Sequence, residues 1–351
     1  MLHALNASFA RVKMPAPDTL TYHAWDFSRM QDFNNKLAVI TGGAMGMGRE
    51  LALQLADEGA HVALCDVDAV ALQETAELCS AKGVTATTFQ CDVSNETQVL
   101  AFRDHVADAH RTDHIHLLFN NAGIGGGGSF VNDTREDWER CFNVCWQGVY
   151  YCARAFMPML VAATEARIVN TSSINGFWAS LGSGVSHTAY SAAKFAVKGF
   201  SEALITDLRL NAPHVKVSVV MPGHVGTDIR RNSLKAMGRG DAMDLDADTI
   251  AHIRKRLVDR GMPVDNLPDD AIRQMMEQLS RDFKDKAPIN AAQASAIILD
   301  GIRDDQWRIL VGDDAHALDE LVRTDPYHAY EPEFIEPLVQ QGHLGGATSN
   351  R

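Results

Sequence analysis

Tyr190 and Lys194 stand four residues apart in Tyr190-Ser191-Ala192-Ala193-Lys194. On a helix that spacing brings both side chains to one face. An ammonium beside a phenol favours the phenolate, so the pair is expected to lower the tyrosine pKa from about 10 toward working pH. Such a tyrosine exchanges a proton with an alcohol or a carbonyl. Hydride leaves a carbinol carbon only as its hydroxyl proton is removed, so a base must touch that oxygen. A fixed donor such as the hydroxyl of Ser173 would stabilise the charge gathering there. Tyr-x-x-x-Lys alone occurs in many helices and gains its meaning here from a second motif upstream.

That motif is Thr41-Gly42-Gly43-Ala44-Met45-Gly46-Met47-Gly48, which follows an apolar strand and opens a helix. Glycines there allow a tight turn and let a pyrophosphate approach backbone amides, and the helix start supplies free N–H groups and a positive dipole end. Asp66 closes the next strand, eighteen positions after Gly48. A carboxylate there can accept hydrogen bonds from ribose hydroxyls and repel a 2′-phosphate. Met45 stands where a basic residue could have met that phosphate. Both features favour NAD over NADP; a turn-capping Asp66 is the lesser reading. Asp92, followed by Val93, ends the third strand where the adenine edge would lie. Asn120-Asn121-Ala122-Gly123 ends the fourth, beside the dinucleotide.

These residues need a scaffold that brings strand ends together. Strand candidates are Leu37–Thr41, His61–Asp66, Ala86–Asp92, Ile115–Asn120, Arg167–Ser173, Val215–Met221 and Arg308–Val311, alternating with helices such as Arg49–Gly59 and Tyr190–Leu210. Several are short Val- and Ile-rich runs, as expected of strands buried on both faces. The alternation predicts an α/β fold, a doubly wound parallel sheet of the Rossmann type with helices on both faces. One catalytic domain is expected over residues 34–325, after a loose extension at 1–33 and before a C-terminal tail at 326–351. Residues 228–287 read as a helical insertion before the last strand, placed to overhang the ligand-binding ends of the strands; a surface or oligomer-forming helical pair is the alternative.

A net charge of −13 argues against a nucleic-acid partner. The run Arg254-Lys255-Arg256 reads as a solvated helix face. No apolar run reaches the length of a membrane span, and the N-terminal residues do not resemble a secretory signal. The six cysteines lack Cys-x-x-Cys spacing and the histidines lack metal-binding spacing. Reduced thiols, a cytoplasmic location and no metal are therefore expected.

Taken in order, Thr41–Gly48, Asp92, Asn120–Gly123, Asn143, Ser173 with Tyr190 and Lys194, and Pro222-Gly223-His224-Val225-Gly226-Thr227 resemble the short-chain dehydrogenase/reductase family. The likeness covers residues 34–227, with a weaker echo at 293–321. It implies that Tyr190 is the general acid/base and that Lys194 lowers its pKa and holds the nicotinamide ribose. It further implies that Ser173, in preference to Ser172, bonds the substrate oxygen and that Asn143 anchors a proton-relay water. The Pro222–Thr227 loop would hold the carboxamide end of the nicotinamide, with Val225 and Thr227 in contact. A homodimer or homotetramer is implied as well, pairing helices around 138–155 and 190–210. One departure is the stretch from Ser173 to Tyr190, longer than the family's. Its Phe177 and Trp178 point either to an apolar substrate or to a neighbouring subunit. The function expected is NAD-dependent interconversion of a secondary alcohol and a ketone. The alternatives are a non-catalytic dinucleotide sensor or scaffold and an epimerase or dehydratase that retains its NAD.

Overall fold

The protein, described by a computed structural model over residues 30–182, 185–259 and 261–343, is built on one parallel sheet. Its strands and helices run in the order β1 (Leu37–Thr41), α1 (Gly46–Asp57), β2 (His61–Asp66), α2 (Ala69–Ser80), β3 (Ala86–Gln90), α3 (Glu96–His110), β4 (Leu117–Asn120), α4 (Arg135–Phe142), α5 (Gly148–Ala162), β5 (Ala166–Thr171), α6 (Thr188–Asn211) and β6 (Val215–Pro222). There follow β7 (Val225–Gly226), α7 (Ile229–Ala236), α8 (Ala247–Asp259), α9 (Asp269–Asp285), β8 (Ile289–Asn290), α10 (Ala291–Arg303), β9 (Arg308–Val311), α11 (Asp313–Thr324) and α12 (Glu336–Gln340).

The seven-stranded sheet has the order β3-β2-β1-β4-β5-β6-β9, and β7 pairs β8 in a separate two-stranded piece. Alternation along β1 assigns its two faces. Ala38 and Ile40 join Leu51 and Leu55 of α1, Leu72 of α2 and Ile298 of α10. Leu37 and Val39 join Phe102 of α3, Phe156 of α5 and Leu204 of α6. Burial on both faces follows from crossover helices covering both, as parallel sheets require. The chain changes direction between β1 and its neighbours β2 and β4. At such a switch point the strand ends splay around a crevice.

The ends of the chain depart from expectation. Residues 1–29 lie outside the described residues, but Met30 and Phe33 are buried in the core, Phe33 completely, with the Arg303 guanidinium 5.0 Å from its ring centroid. Met30 and Phe33 therefore do not belong to a loose extension, because a bulky aromatic ring reclaims burial there. At the other end the chain does not trail off at 326. Ala329, Phe334, Ile335 and Leu338 are buried against the chain's own Ile174 and Trp178. Trp178 accordingly neither lines an open pocket nor waits for a second subunit, and Phe177 lies beneath Arg308, 5.4 Å from ring to guanidinium. The Arg254-Lys255-Arg256 run is likewise not a plain solvated face. Arg254 donates to the Val264 carbonyl and pairs with Asp269, and Arg256 approaches the buried carboxylate of Asp133.

Candidate active site

The glycine loop is shaped by collisions that a side chain would cause. A Cβ on Gly48 would lie 2.0 Å from the Gly42 carbonyl oxygen, and one on Gly42, where φ is +68°, would lie 2.9 Å from the Ala122 Cα. Thr41 ties this loop to the neighbouring strand end: its hydroxyl accepts the N–H groups of Asn121 and Ala122, each at 3.0 Å. Ser295 of α10 donates to the Met47 carbonyl at 3.2 Å, which fixes the first turn of α1 from outside. Helix α1 starts without a side-chain cap, since extended Met45 makes no cap bond. By contrast α2, α3 and α4 are capped by Asp68, Asn95 and Thr134. The free amides of an uncapped start, set in a cradle that only glycine permits, fit the diphosphate of a dinucleotide.

The acidic residues around this cradle are already engaged. Asp66 accepts Ala44 N–H at 3.1 Å and Asp68 N–H at 3.1 Å, so it shapes the loop. Burial raises its pKa and these backbone bonds oppose the rise. Asp92 accepts from Arg140 of α4 at 2.6 Å and from Ser94 at 2.7 Å. Burial works against its charge, but the Ser94 and Arg140 bonds win and hold its pKa below the ordinary carboxylate value. Its carboxylate is thus directed to α4. Val93 is buried and packs its methyl against Gly148 at the start of α5.

Deeper in the crevice, buried Asn120 donates to Asn170 at 2.8 Å, and Asn170 donates to Ser201 of α6 at 2.9 Å. This polar chain binds the ends of β4 and β5 to the helix that carries the tyrosine. Gly123 leaves just enough room: a Cβ there would lie 3.5 Å from Lys194 Nζ and 3.8 Å from Cys145 Sγ. Lys194 is buried, donates to the Thr171 carbonyl at 2.8 Å, and sits 5.3 Å from the Tyr190 ring centroid. Ser173 lies close enough to the Tyr190 phenol to favour its ionised form, and its oxygen accepts Asn175 N–H at 3.1 Å. Ser172 turns away to donate to the Lys194 carbonyl at 2.8 Å. Tyr190, Lys194 and Ser173 therefore converge, and Ser172 belongs to the frame.

The expected lowering of the Tyr190 pKa is not found in this state. Burial pushes the phenol up, the neighbouring Cys145 sulfur adds to the rise, and the Ser173 bond only opposes it. The reason is geometric: the ammonium is held by the Thr171 carbonyl rather than by the phenol oxygen.

Asn143 stands at the start of a π-helical turn, Asn143–Gln147, where its carbonyl accepts Gly148 N–H. Its neighbour Cys145 is the residue of this turn that faces the site, with Sγ 3.2 Å from the Ile124 carbonyl. The extra residue of a π turn rotates the helix face, a shift that α-helical counting does not contain. His187 is a second neighbour that motif reading misses. Its ring centroid is 4.7 Å from that of Tyr190, and burial holds its pKa at about 4, so the imidazole is neutral. Its position, three residues before the tyrosine at the helix entry, is the signal that could mark it.

The Pro222–Thr227 loop closes the site from the far side. Gly223 is fixed by its N–H to the Val311 carbonyl at 3.0 Å, His224 N–H donates to Asp314 at 2.7 Å, Val225 is buried, and the Thr227 methyl faces Gly46. From α7, Ser233 accepts Gly125 N–H at 2.7 Å, so the 228–287 insertion rests on the loop that follows Gly123. No described helix is long and apolar enough to cross a membrane.

Comparison with known proteins agrees with this geometry. The short chain dehydrogenase family model matches residues 36–238. A Mycobacterium tuberculosis protein named as a candidate oxidoreductase, SadH, is 34% identical over 294 residues, 84% of this chain and 92% of its own. The BbsD subunit of a hydroxy(phenyl)methyl-succinyl-CoA dehydrogenase from Thauera aromatica is 34% identical over 193 residues, 55% of this chain and 74% of its own. Among solved structures, a short-chain dehydrogenase/reductase of Burkholderia phymatum in complex with NAD superposes with a TM-score of 0.67 at 29% identity, covering 86% of this chain and 97% of that one. With its sheet order, glycine cradle and Tyr190–Lys194 pair, the chain belongs to the short-chain dehydrogenase family, oxidoreductases that bind NAD or NADP.

Proposed function

We propose that this protein interconverts a secondary alcohol and a ketone with NAD, Tyr190 serving as general acid/base. The observation that carries this reading is the convergence on the Tyr190 phenol of the Ser173 hydroxyl and a buried, fixed Lys194 ammonium 5.3 Å from its ring centroid. When bound, the nicotinamide accepts or delivers the hydride. The residues do the rest. Ser173, oriented by the Asn175 N–H that its oxygen accepts, would turn its hydroxyl proton from the phenol to the substrate oxygen. Tyr190 takes the carbinol proton in oxidation and returns it in reduction. Lys194 supplies positive charge close to both. Thr41, Gly42, Gly46, Met47, Gly48, Ala122 and Gly123 would hold the dinucleotide through backbone atoms. Pro222, Gly223, Val225 and Thr227 would flank its nicotinamide end, and Asn143 would act through its helical turn.

The substrate is read as apolar near the reacting carbon. Ala189 and Ala193 are buried around the tyrosine, with Trp138, Phe142 and Met237 packed beside them. The named substrate of BbsD, a phenyl-bearing secondary alcohol, is consistent with such a wall. The 228–287 helices act as a lid over that pocket. Exposed Tyr150, Phe195 and Leu210 on α5 and α6 form the face through which a homodimer or homotetramer would assemble. The six cysteines are all unpaired thiols, which supports a cytoplasmic setting.

Turnover with a panel of aryl and cyclic secondary alcohols, followed by the absorbance of released reduced cofactor, tests this reading. No turnover with any alcohol or ketone would favour a non-catalytic sensor. Turnover without release of reduced cofactor would favour an epimerase or dehydratase.

Cofactor choice gives a separate expectation. Asp66→Ala is expected to raise the ratio of kcat/KM with NADP to that with NAD by about tenfold or more, because a like charge opposite a 2′-phosphate costs several kcal/mol. It should also weaken NAD, since Ala44 N–H loses its acceptor. An unchanged ratio would remove Asp66 from cofactor selection.

A further inference from the structure

The family match ends at residue 238, and nothing in the alcohol chemistry above calls on the chain beyond α11. Yet the segment after α11 folds back onto the loop that connects Ser173 to Tyr190. Trp178 is buried, 3% exposed, and its Nε1 donates to the Ala329 carbonyl at 2.6 Å. Its ring centroid is 6.3 Å from that of Phe334. Ala179 N–H donates to the Tyr330 hydroxyl at 3.3 Å, and Ile335 Cδ1 lies 3.1 Å from where a Gly182 Cβ would be. Three kinds of contact, apolar, ring and hydrogen bond, thus converge on 178–182 from one C-terminal stretch.

The gripped loop is joined to Ser173 by the short turn Ile174–Gly176, whose Gly176 N–H donates to the Ser173 carbonyl at 2.8 Å, and by the buried side chain of Asn175. Asn175, 3% exposed, donates its side-chain amide to the Trp178 carbonyl at 3.1 Å and to the Ser180 carbonyl at 2.6 Å. Its backbone N–H donates to Ser173 Oγ at 3.1 Å. Ser173 in turn lies close to the Tyr190 phenol, where it favours the ionised form. The longer connection between Ser173 and Tyr190 would leave a serine on a floppy arm without this support, and ordering it from outside spares that entropy at each turnover.

We propose that residues 325–341 are a strut for the active site and that Trp178 is its positioning residue, holding the 174–182 loop so that Ser173 meets Tyr190. The claim rests on the oxidoreductase reading for its catalytic consequence, but its mechanical half can be read without activity. It also accounts for the length of the connection that departs from the family: the added residues are the part that the C-terminal segment grips.

The full-length chain is tested with Phe334→Ala and Trp178→Phe, the second keeping an aromatic ring while losing the indole N–H and part of the buried ring volume. Hydrogen exchange of the 173–182 amides should quicken in both, more in Phe334→Ala. With an alcohol turned over by the unmutated chain, kcat should fall about tenfold or more, as a small misplacement of a catalytic donor does. NAD affinity should stay within about twofold, because no strut contact reaches the glycine loop. Loosening Ser173 removes a bond that opposes the rise in the Tyr190 pKa, so the acid limb of alcohol oxidation should move to higher pH. Phe102→Leu, a core change in α3 far from the loop, should lower thermal stability without moving that limb. Unchanged loop exchange in Phe334→Ala overturns the strut. Quickened exchange with kcat and the pH limb both unmoved overturns its catalytic role. If the unmutated chain turns over no alcohol or ketone, the oxidoreductase reading fails, and the exchange result still decides the strut.

Discussion

Tyr190→Phe is expected to lower kcat for alcohol oxidation by about 10²–10⁴-fold, the range that a positioned general base contributes, while NAD binding and thermal stability change little. The ring of Phe would keep the contact with His187, whose centroid lies 4.7 Å away, and the contact with the Lys194 ammonium. Only the oxygen is lost, and with it the group that Ser173 acts on. Because burial raises the Tyr190 pKa, the phenolate is scarce in the free protein at neutral pH. Alcohol oxidation should therefore speed up as pH rises, whereas ketone reduction, which needs the protonated phenol, should hold or fall. His187 adds no competing limb near neutrality, being neutral with a pKa of about 4. Steady-state rates across pH for both directions, with NAD binding followed by titration, read all of this. A Tyr190→Phe variant retaining more than about a tenth of the original kcat would take the base role from this residue.

The chemistry is more legible in the sequence than the geometry that tunes it. β1 and β2 begin and end where the apolar runs predict, because a strand buried on both faces writes its limits in hydrophobicity, and the edge strand β9, buried on alternate residues, matches its predicted limits too. β4 starts two residues later than the apolar run, at Leu117, since His116 uses its ring to accept the Leu37 N–H. The glycine cradle is legible for a similar reason: Gly42 and Gly48 are dictated by steric contact, which leaves a fixed spacing.

What stays hidden depends on atoms distant in sequence. Whether Lys194 lowers the tyrosine pKa turns on the Thr171 carbonyl, which captures its ammonium 23 residues away. The π turn at Asn143–Gln147 brings Cys145 to the site through a hydrogen-bond shift that side-chain types do not announce. The pairing of Trp178 with residues 329–338 joins positions 151 or more apart in sequence and has no local signature. Asp92 shows the middle case. Its place at a strand end is legible, but its capture by Arg140 requires α4 to lie across the crevice. Cofactor loading would have to compete with that ion pair, which is only half-buried and therefore worth little on its own.

Gly48→Ala is expected to weaken NAD binding by about 10- to 100-fold, equivalent to one lost charge-assisted hydrogen bond of about 1.5–3 kcal/mol, and to destabilise the fold by about 1–3 kcal/mol through overpacking. Gly48 has ordinary helical backbone, so conformational strain contributes nothing and the whole effect is collision. The added methyl would lie 2.0 Å from the Gly42 carbonyl oxygen and 2.7 Å from Asn121 Nδ2. Relief requires the loop to move as a unit, because Thr41 and Asn121 lock it to β4. Such a shift displaces the free amides at the start of α1 from any diphosphate. Gly46→Ala makes the internal comparison. Its methyl would have room, the nearest atom being the Thr227 methyl at 3.5 Å, but its φ of +57° disfavours any side chain. That strain costs about 1–2 kcal/mol and leaves the loop in place. Calorimetric NAD titration and thermal unfolding of the two variants should therefore separate them, with affinity hit harder at Gly48 for a comparable loss of stability. Equal NAD affinities in the two variants would mean that the amides at the start of α1 are not what holds the dinucleotide.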